Sequence, residues 1–145
     1  VVFNRIFIKG LSLFVDIEGA AGSNTILSAK EEILAIISQN GFVVAALVTS
    51  VIVPIYEEIV YRGVILGSVE KYLGFKGANV VQAILFGLVH DDLALFPFFF
   101  VFALITGWWV KKSGGLLTGI VFHGIHNFTI TVALYYVSKL SLFGS

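Results

Sequence analysis

The sequence predicts an all-α fold: a multi-pass transmembrane helical bundle of about four core membrane helices, preceded by an interfacial or partial helix. Three observations predict it. The chain of 145 residues is 58% hydrophobic and only 12% charged, against roughly 25% charged in soluble domains, so most of its surface has to face lipid. Its mean hydropathy is +0.99. Its apolar residues also come in long runs between short polar breaks, and the length accommodates four or five spans of about 20 residues each.

The first segment, residues 1–40, reads as an N-terminal interfacial or partial membrane segment. Residues 1–17 are apolar but carry Arg5 and Lys9, and no small-residue cleavage site follows, so they do not read as a signal peptide. Residues 18–27 read as a loop. Ser28 and Glu31 fit a capping box, in which each side chain satisfies a free amide at a helix start. The helix they open runs to about Gln39 and is amphipathic, suited to the membrane surface. No methionine occurs, not even at position 1, which points to a chain processed or truncated at its start.

The core, residues 41–138, follows as four helices. Helix A covers about 41–67 and carries Pro54, Glu57, Glu58 and Arg62 in its second half. Residues 68–77, with Glu70, Lys71 and Lys76, read as a polar loop. Helix B, about 78–90, ends on His90, and Asp91 and Asp92 mark its boundary. Helix C, about 93–110, is rich in phenylalanine and ends on Trp108 and Trp109, as an interfacial aromatic belt would. Lys111 to Gly115 read as a turn. Helix D, about 115–138, has no charged residue other than its two histidines, and 139–145 form a tail.

The loops at 68–77 and 111–115 fall on one side of the membrane and hold Lys71, Lys76, Lys111 and Lys112. The positive-inside rule assigns that side to the cytoplasm. Net charge is zero, so nothing points to nucleic acid. The absence of cysteine excludes disulfides, a thiolate metal site and a cysteine nucleophile.

Ionisable groups in hydrocarbon cost several kcal/mol unless paired or lining a wet cavity, so Glu57, Glu58, His90, His123 and Asn127 stand out. At about 1.5 Å per residue from the lysine-rich end, Glu57 and His123 fall about 15 Å in. On the same count His90 and Asn127 fall about 20 Å in. A hydrocarbon core is about 30 Å thick, so three helices can bring all four to one depth.

Each group has a plain structural reading beside a chemical one. Glu58 and Arg62, four apart on one face, read as a buried ion pair. That leaves Glu57 without a partner on its own helix and available as a general base or acid. Both glutamates can equally be read as helix-to-helix ties. Pro54, one turn earlier, removes a backbone hydrogen bond and is expected to bend the helix. His90, four residues after Phe86, reads either as a helix-end polar group or as a catalytic one. His123 and Asn127 share a face and offer two N–H donors for a developing oxyanion, or act as interhelical ties. His126 lies off that pair. Ser50 and Ser113 lack a nucleophile-elbow context. Two histidines and a glutamate (Glu57, His90, His123) make a conceivable zinc set, but no H-E-x-x-H occurs. A carboxylate-activated water needs no cofactor.

The ordered set E-E-x-x-x-R (Glu57, Glu58, Arg62), F-x-x-x-H (Phe86, His90) and H-x-x-x-N (His123, Asn127) resembles the CAAX protease and bacteriocin-processing family, also called Abi. That family includes the Ras-converting CAAX endopeptidase. The resemblance spans about residues 41–138 and includes the stretch SGGLLTGIVFHGIHN. It implies an intramembrane endopeptidase acting on a membrane-associated peptide, either a prenylated CAAX-type tail or a leader. By that resemblance Glu57 activates the attacking water with help from His90. His123 and Asn127 hold the oxyanion, and Glu58, Arg62 and Phe86 support the site. Members were first described as metalloproteases and later argued to be metal-free glutamate proteases. They often have more helices before the first motif than the roughly 40 residues here. The alternative is a non-enzymatic protein, for bacteriocin self-immunity or for binding a membrane complex partner through the same polar cavity. A small transporter is the weaker third reading, because no inverted repeat is present.

Overall fold

The computed structural model describes residues 29–90 and 93–143. Among them every regular element is helical. Helix α1 spans Ala29–Leu47, and a π-helical stretch, Val48–Ile52, leads into α2, Val53–Glu58. A second π-helical stretch, Ile59–Leu66, leads into α3, Gly67–Val89. Helices α4, Phe96–Ser113, and α5, Leu116–Phe143, complete the fold.

Two glycines divide this path. Gly41 (φ 82°, ψ 165°) interrupts α1 and Gly74 (φ 65°, ψ 171°) interrupts α3. A Cβ at either position would meet nothing within 4 Å. The backbone conformation, disfavoured for L-residues, therefore demands glycine there, and crowding does not. Between the breaks the chain runs helically from 42 to 73. After Gly74 it packs against the π-helical stretch 59–66 and against α4. Helix α5 lies against α1, α2 and α4.

The main core joins Tyr61, Ala83, Phe86, Phe102 and Ala103. A smaller one joins Ile36, Ala45 and Val48. Among the described residues two stretches are long and apolar enough to cross a membrane, Ile33–Val89 and Leu116–Leu140. Only 22% and 17% of their most apolar windows are buried, unlike the core helices of a soluble protein. Val43, Val64, Leu88, Val101, Ile125 and Leu140 point outward instead, an apolar surface of the kind that lipid covers.

Several expected boundaries change. Residues 68–77 are helical except at Gly74, because Glu70, Lys71 and Lys76 are good helix formers made polar by their position at a helix end. Helix B accordingly starts before residue 78. Lys111 and Lys112 close α4 as its last turn, where cations favour the helix dipole. The reversal needs only Gly114, in the left-handed region at φ 75°, and Gly115. Pro97 sits in the first turn of α4, where its missing N–H costs nothing. Helix α5 continues through residues 139–143, which read as tail. The helix expected from the Ser28 cap is present from Ala29, while Ser28, residues 1–27, Asp91 and Asp92 lie outside the described residues. At Pro54 the chain does not leave the helix. Ile52 and Val53 keep right-handed helical angles, and the register widens to π beside them.

The lysine-bearing ends of α3 and α4 do come together. Lys111 Nζ pairs with Glu70 Oε1 at 2.6 Å, and Lys112 Nζ lies 4.9 Å from the Trp108 ring centre.

Candidate active site

The site begins with two adjacent glutamates at the end of α2. Neighbouring helical residues point about 100° apart, so Glu57 and Glu58 address different surroundings. Glu58 is fully buried and its Oε1 pairs with Arg62 Nη1 at 2.9 Å, one turn along the same helix. A buried carboxylate requires such compensation. Arg62 Nη2 reaches the Ala103 carbonyl on α4 at 3.4 Å, and its guanidinium lies 4.8 Å from the Phe86 ring centre. Glu57 keeps 19% of its side-chain surface exposed.

Helix α5 brings His123 between the two carboxylates. Its Nδ1 is 3.1 Å from Glu58 Oε1 and its Nε2 is 3.4 Å from Glu57 Oε2. A carboxylate accepts, so Nδ1 carries the proton toward Glu58, and the ring is oriented with Nε2 facing Glu57. The approach depends on Gly119, one turn earlier: a Cβ there would collide with Glu58 Oε2. Gly124, one residue on from His123, plays a similar part, since a Cβ would stand 2.6 Å from the Ser50 carbonyl.

His90 closes the far end of α3. Its Nδ1 donates to the Phe86 carbonyl at 2.7 Å, which leaves Nε2 as the acceptor of the neutral ring. The ring stacks on Phe99 at 3.8 Å. Phe86 is the shared floor, with ring centres 4.7 Å from His90 and 5.8 Å from His123. Asn127, a turn beyond His123, donates from Nδ2 to the Thr49 carbonyl at 2.9 Å. His126 is turned away against Phe98 and Phe102.

Glu57, Glu58, Arg62, Phe86 and His123 therefore form one contiguous cluster. His90 joins it through the Phe86 ring, and Asn127 stands one turn along α5. The three groups of the conceivable zinc set, Glu57, His90 and His123, do not close on a common point. Among the described residues no three His, Asp or Glu side chains stand where they could hold a metal ion together.

Other polar residues serve this seam without being singled out by the motifs. Thr49 and Thr131, both buried, touch through their hydroxyls at 2.8 Å. Gly119, His123, Asn127 and Thr131 recur every four residues, a stripe that helical spacing makes visible in the sequence. A second missed group, Asn79 and Gln82, ties α3 to α4. Gln82 Nε2 donates to Asn79 Oδ1 and the Ala103 carbonyl at 2.8 and 3.0 Å. Asn79 Nδ2 donates to the Leu104 carbonyl at 3.0 Å.

A helical chain with outward apolar surface and a carboxylate–imidazole cluster buried between its helices is a membrane protein built around a polar site. The chain belongs to the family described as type II CAAX prenyl endopeptidase Rce1-like, which matches residues 39–129. It is also 33% identical over 79 residues to YdiL of Bacillus subtilis (strain 168), a protein named as a membrane peptidase. That similarity covers 49% of this chain and 32% of the relative, so the chain spans about a third of the relative it matches. No solved structure matches it. The CAAX side of the expected resemblance is thus borne out.

Proposed function

We propose that the chain is the core of an intramembrane endopeptidase that hydrolyses a peptide bond in a membrane-associated substrate, of the prenylated CAAX class that the family's description names. Four of its helical segments lie in the bilayer in this reading, with the lysine-bearing ends toward the cytoplasm. The observation that carries the proposal is the approach of Glu57 Oε2 to His123 Nε2 beside a Glu58 that is already neutralised by Arg62.

In this mechanism Glu57 takes a proton from water as the water oxygen bonds to the scissile carbonyl carbon. His90 Nε2, the free acceptor of its ring, helps hold that water. The carbonyl oxygen becomes an oxyanion. His123 in its doubly protonated form donates from Nε2, and Asn127 donates its second amide hydrogen, each to that oxygen. Collapse breaks the C–N bond, and Glu57 returns its proton to the leaving amine. Glu58, accepting from Nδ1, fixes the orientation of the imidazole. Arg62 pairs with Glu58 and holds its carboxylate in place, and the dry seam strengthens each of these contacts.

The test is cleavage of a farnesylated peptide with a CAAX terminus by the purified protein in lipid vesicles. Glu57→Gln preserves size and hydrogen bonding but cannot accept the proton, so the rate is expected to fall by roughly 10²–10⁴-fold with the thermal unfolding temperature preserved. A Glu57→Gln protein that cleaves at the normal rate overturns the mechanism.

A further inference from the structure

We infer that Thr49 and Thr131 are positioning residues that aim Asn127, through a clamp created by Pro54. The inference rests on the proposed peptidase reading for its kinetic meaning but not for its geometry.

In the π-helical stretch the Val53 N–H bonds to the Val48 carbonyl, five residues back. In that register the next donor would be residue 54, reaching the Thr49 carbonyl. Residue 54 is proline and has no N–H. The Thr49 carbonyl is therefore left for another donor, and in a buried seam it needs one. Asn127 Nδ2 supplies it, at 2.9 Å.

Two hydroxyls brace this bond from both sides. Thr131 Oγ1 lies 2.9 Å from the Asn127 carbonyl oxygen and 2.8 Å from Thr49 Oγ1. Thr49 Oγ1 also reaches the Ala45 carbonyl at 2.8 Å. Thr131 is fully buried and Thr49 nearly so. The close passage of Gly124 over the Ser50 carbonyl brings the two backbones near enough for these contacts. An amide nitrogen has two hydrogens. With one committed to Thr49, the plane of the Asn127 amide is set, and the second hydrogen has a defined direction. Without the clamp the side chain would rotate, and the oxyanion donor would be present but unaimed.

The test pairs kinetics with a direct readout of the amide. Thr131→Val keeps the shape and removes the hydroxyl, and Thr131→Ser keeps the hydroxyl. With the farnesylated CAAX peptide, Thr131→Val is expected to lower kcat by roughly tenfold, within the range that small misplacements cost, with KM unchanged. Thr131→Ser should restore it. Thr49→Val, which removes the other hydroxyl from the opposite helix, should repeat the loss and serves if Thr131→Val does not fold. In protein labelled with 15N at its five asparagines, the side-chain NH2 signals of Asn127, assigned by their loss in Asn127→Ala, should shift in both valine variants and stay in place in Thr131→Ser. Unmoved Asn127 signals in the valine variants overturn the inference whether or not the peptide is cleaved. So does a Thr131→Ser protein as impaired as Thr131→Val. A wild-type protein that cleaves nothing counts against the peptidase reading, and the amide signals then decide the clamp by themselves.

Discussion

Two polar seams cross this apolar chain, and they are built differently. In the seam between α3 and α4, Gln82 donates to Asn79 Oδ1 and to the Ala103 carbonyl, and Asn79 donates to the Leu104 carbonyl. Its own side chains are neutral amides, and the Ala103 carbonyl that Gln82 uses also accepts from Arg62 Nη2. In the seam between α2 and α5, two carboxylates and an imidazole meet. One carboxylate is buried against Arg62, while the other remains partly exposed and faces the His123 ring. Neutral amides that find backbone partners tie helices together at modest gain. An ionisable group left partly uncompensated in a low-dielectric seam is costly, which makes it a candidate for function. The contrast separates polar residues that hold this bundle from those that we propose react.

Substitutions can test that contrast. The largest effect is expected at Arg62. Arg62→Met leaves Glu58 buried and unpaired, which should cost about 3–5 kcal/mol of stability. Detergent-induced unfolding measures it, and activity should vanish with the fold. Next comes Gly119→Ala, whose methyl collides with Glu58 Oε2. Overpacking of this kind costs about 1–3 kcal/mol, and because α5 must retreat, cleavage should fall further than the unfolding midpoint suggests. Gln82→Leu in the other seam should cost only about 1 kcal/mol and leave kcat at the wild-type value. A large loss of kcat there with the fold intact would erase the distinction between the seams. The smallest change is Lys111→Ala, which removes the partly exposed pair with Glu70. It should shift stability by about 0.2–1 kcal/mol, less at high salt, without altering cleavage.

Much of the site was legible from residue spacing. Glu58 and Arg62 are four apart, and their pairing is the geometry that helical spacing predicts. The shared depth of Glu57 and His123, counted along two helices, becomes a contact of 3.4 Å. Two relations were less visible. His123 and Asn127 share a face, yet His123 turns to the carboxylates while Asn127 turns to the Thr49 carbonyl. That choice depends on Pro54 and the π register, which no periodicity in the sequence reveals. The polar stretch 68–77 reads as a loop because charge at a helix end and charge in a loop look alike. Only Gly74 actually breaks the helix.

The all-helical class, the apolar exterior and the identity of the costly polar residues follow from the sequence by itself, since composition and spacing act locally along each helix. Which carboxylate is neutralised, which one faces the imidazole and which backbone carbonyl takes the Asn127 amide were decided only by tertiary structure. These outcomes depend on how closely α5 can approach the α2 region at Gly119 and Gly124, and that distance is a property of two helices together.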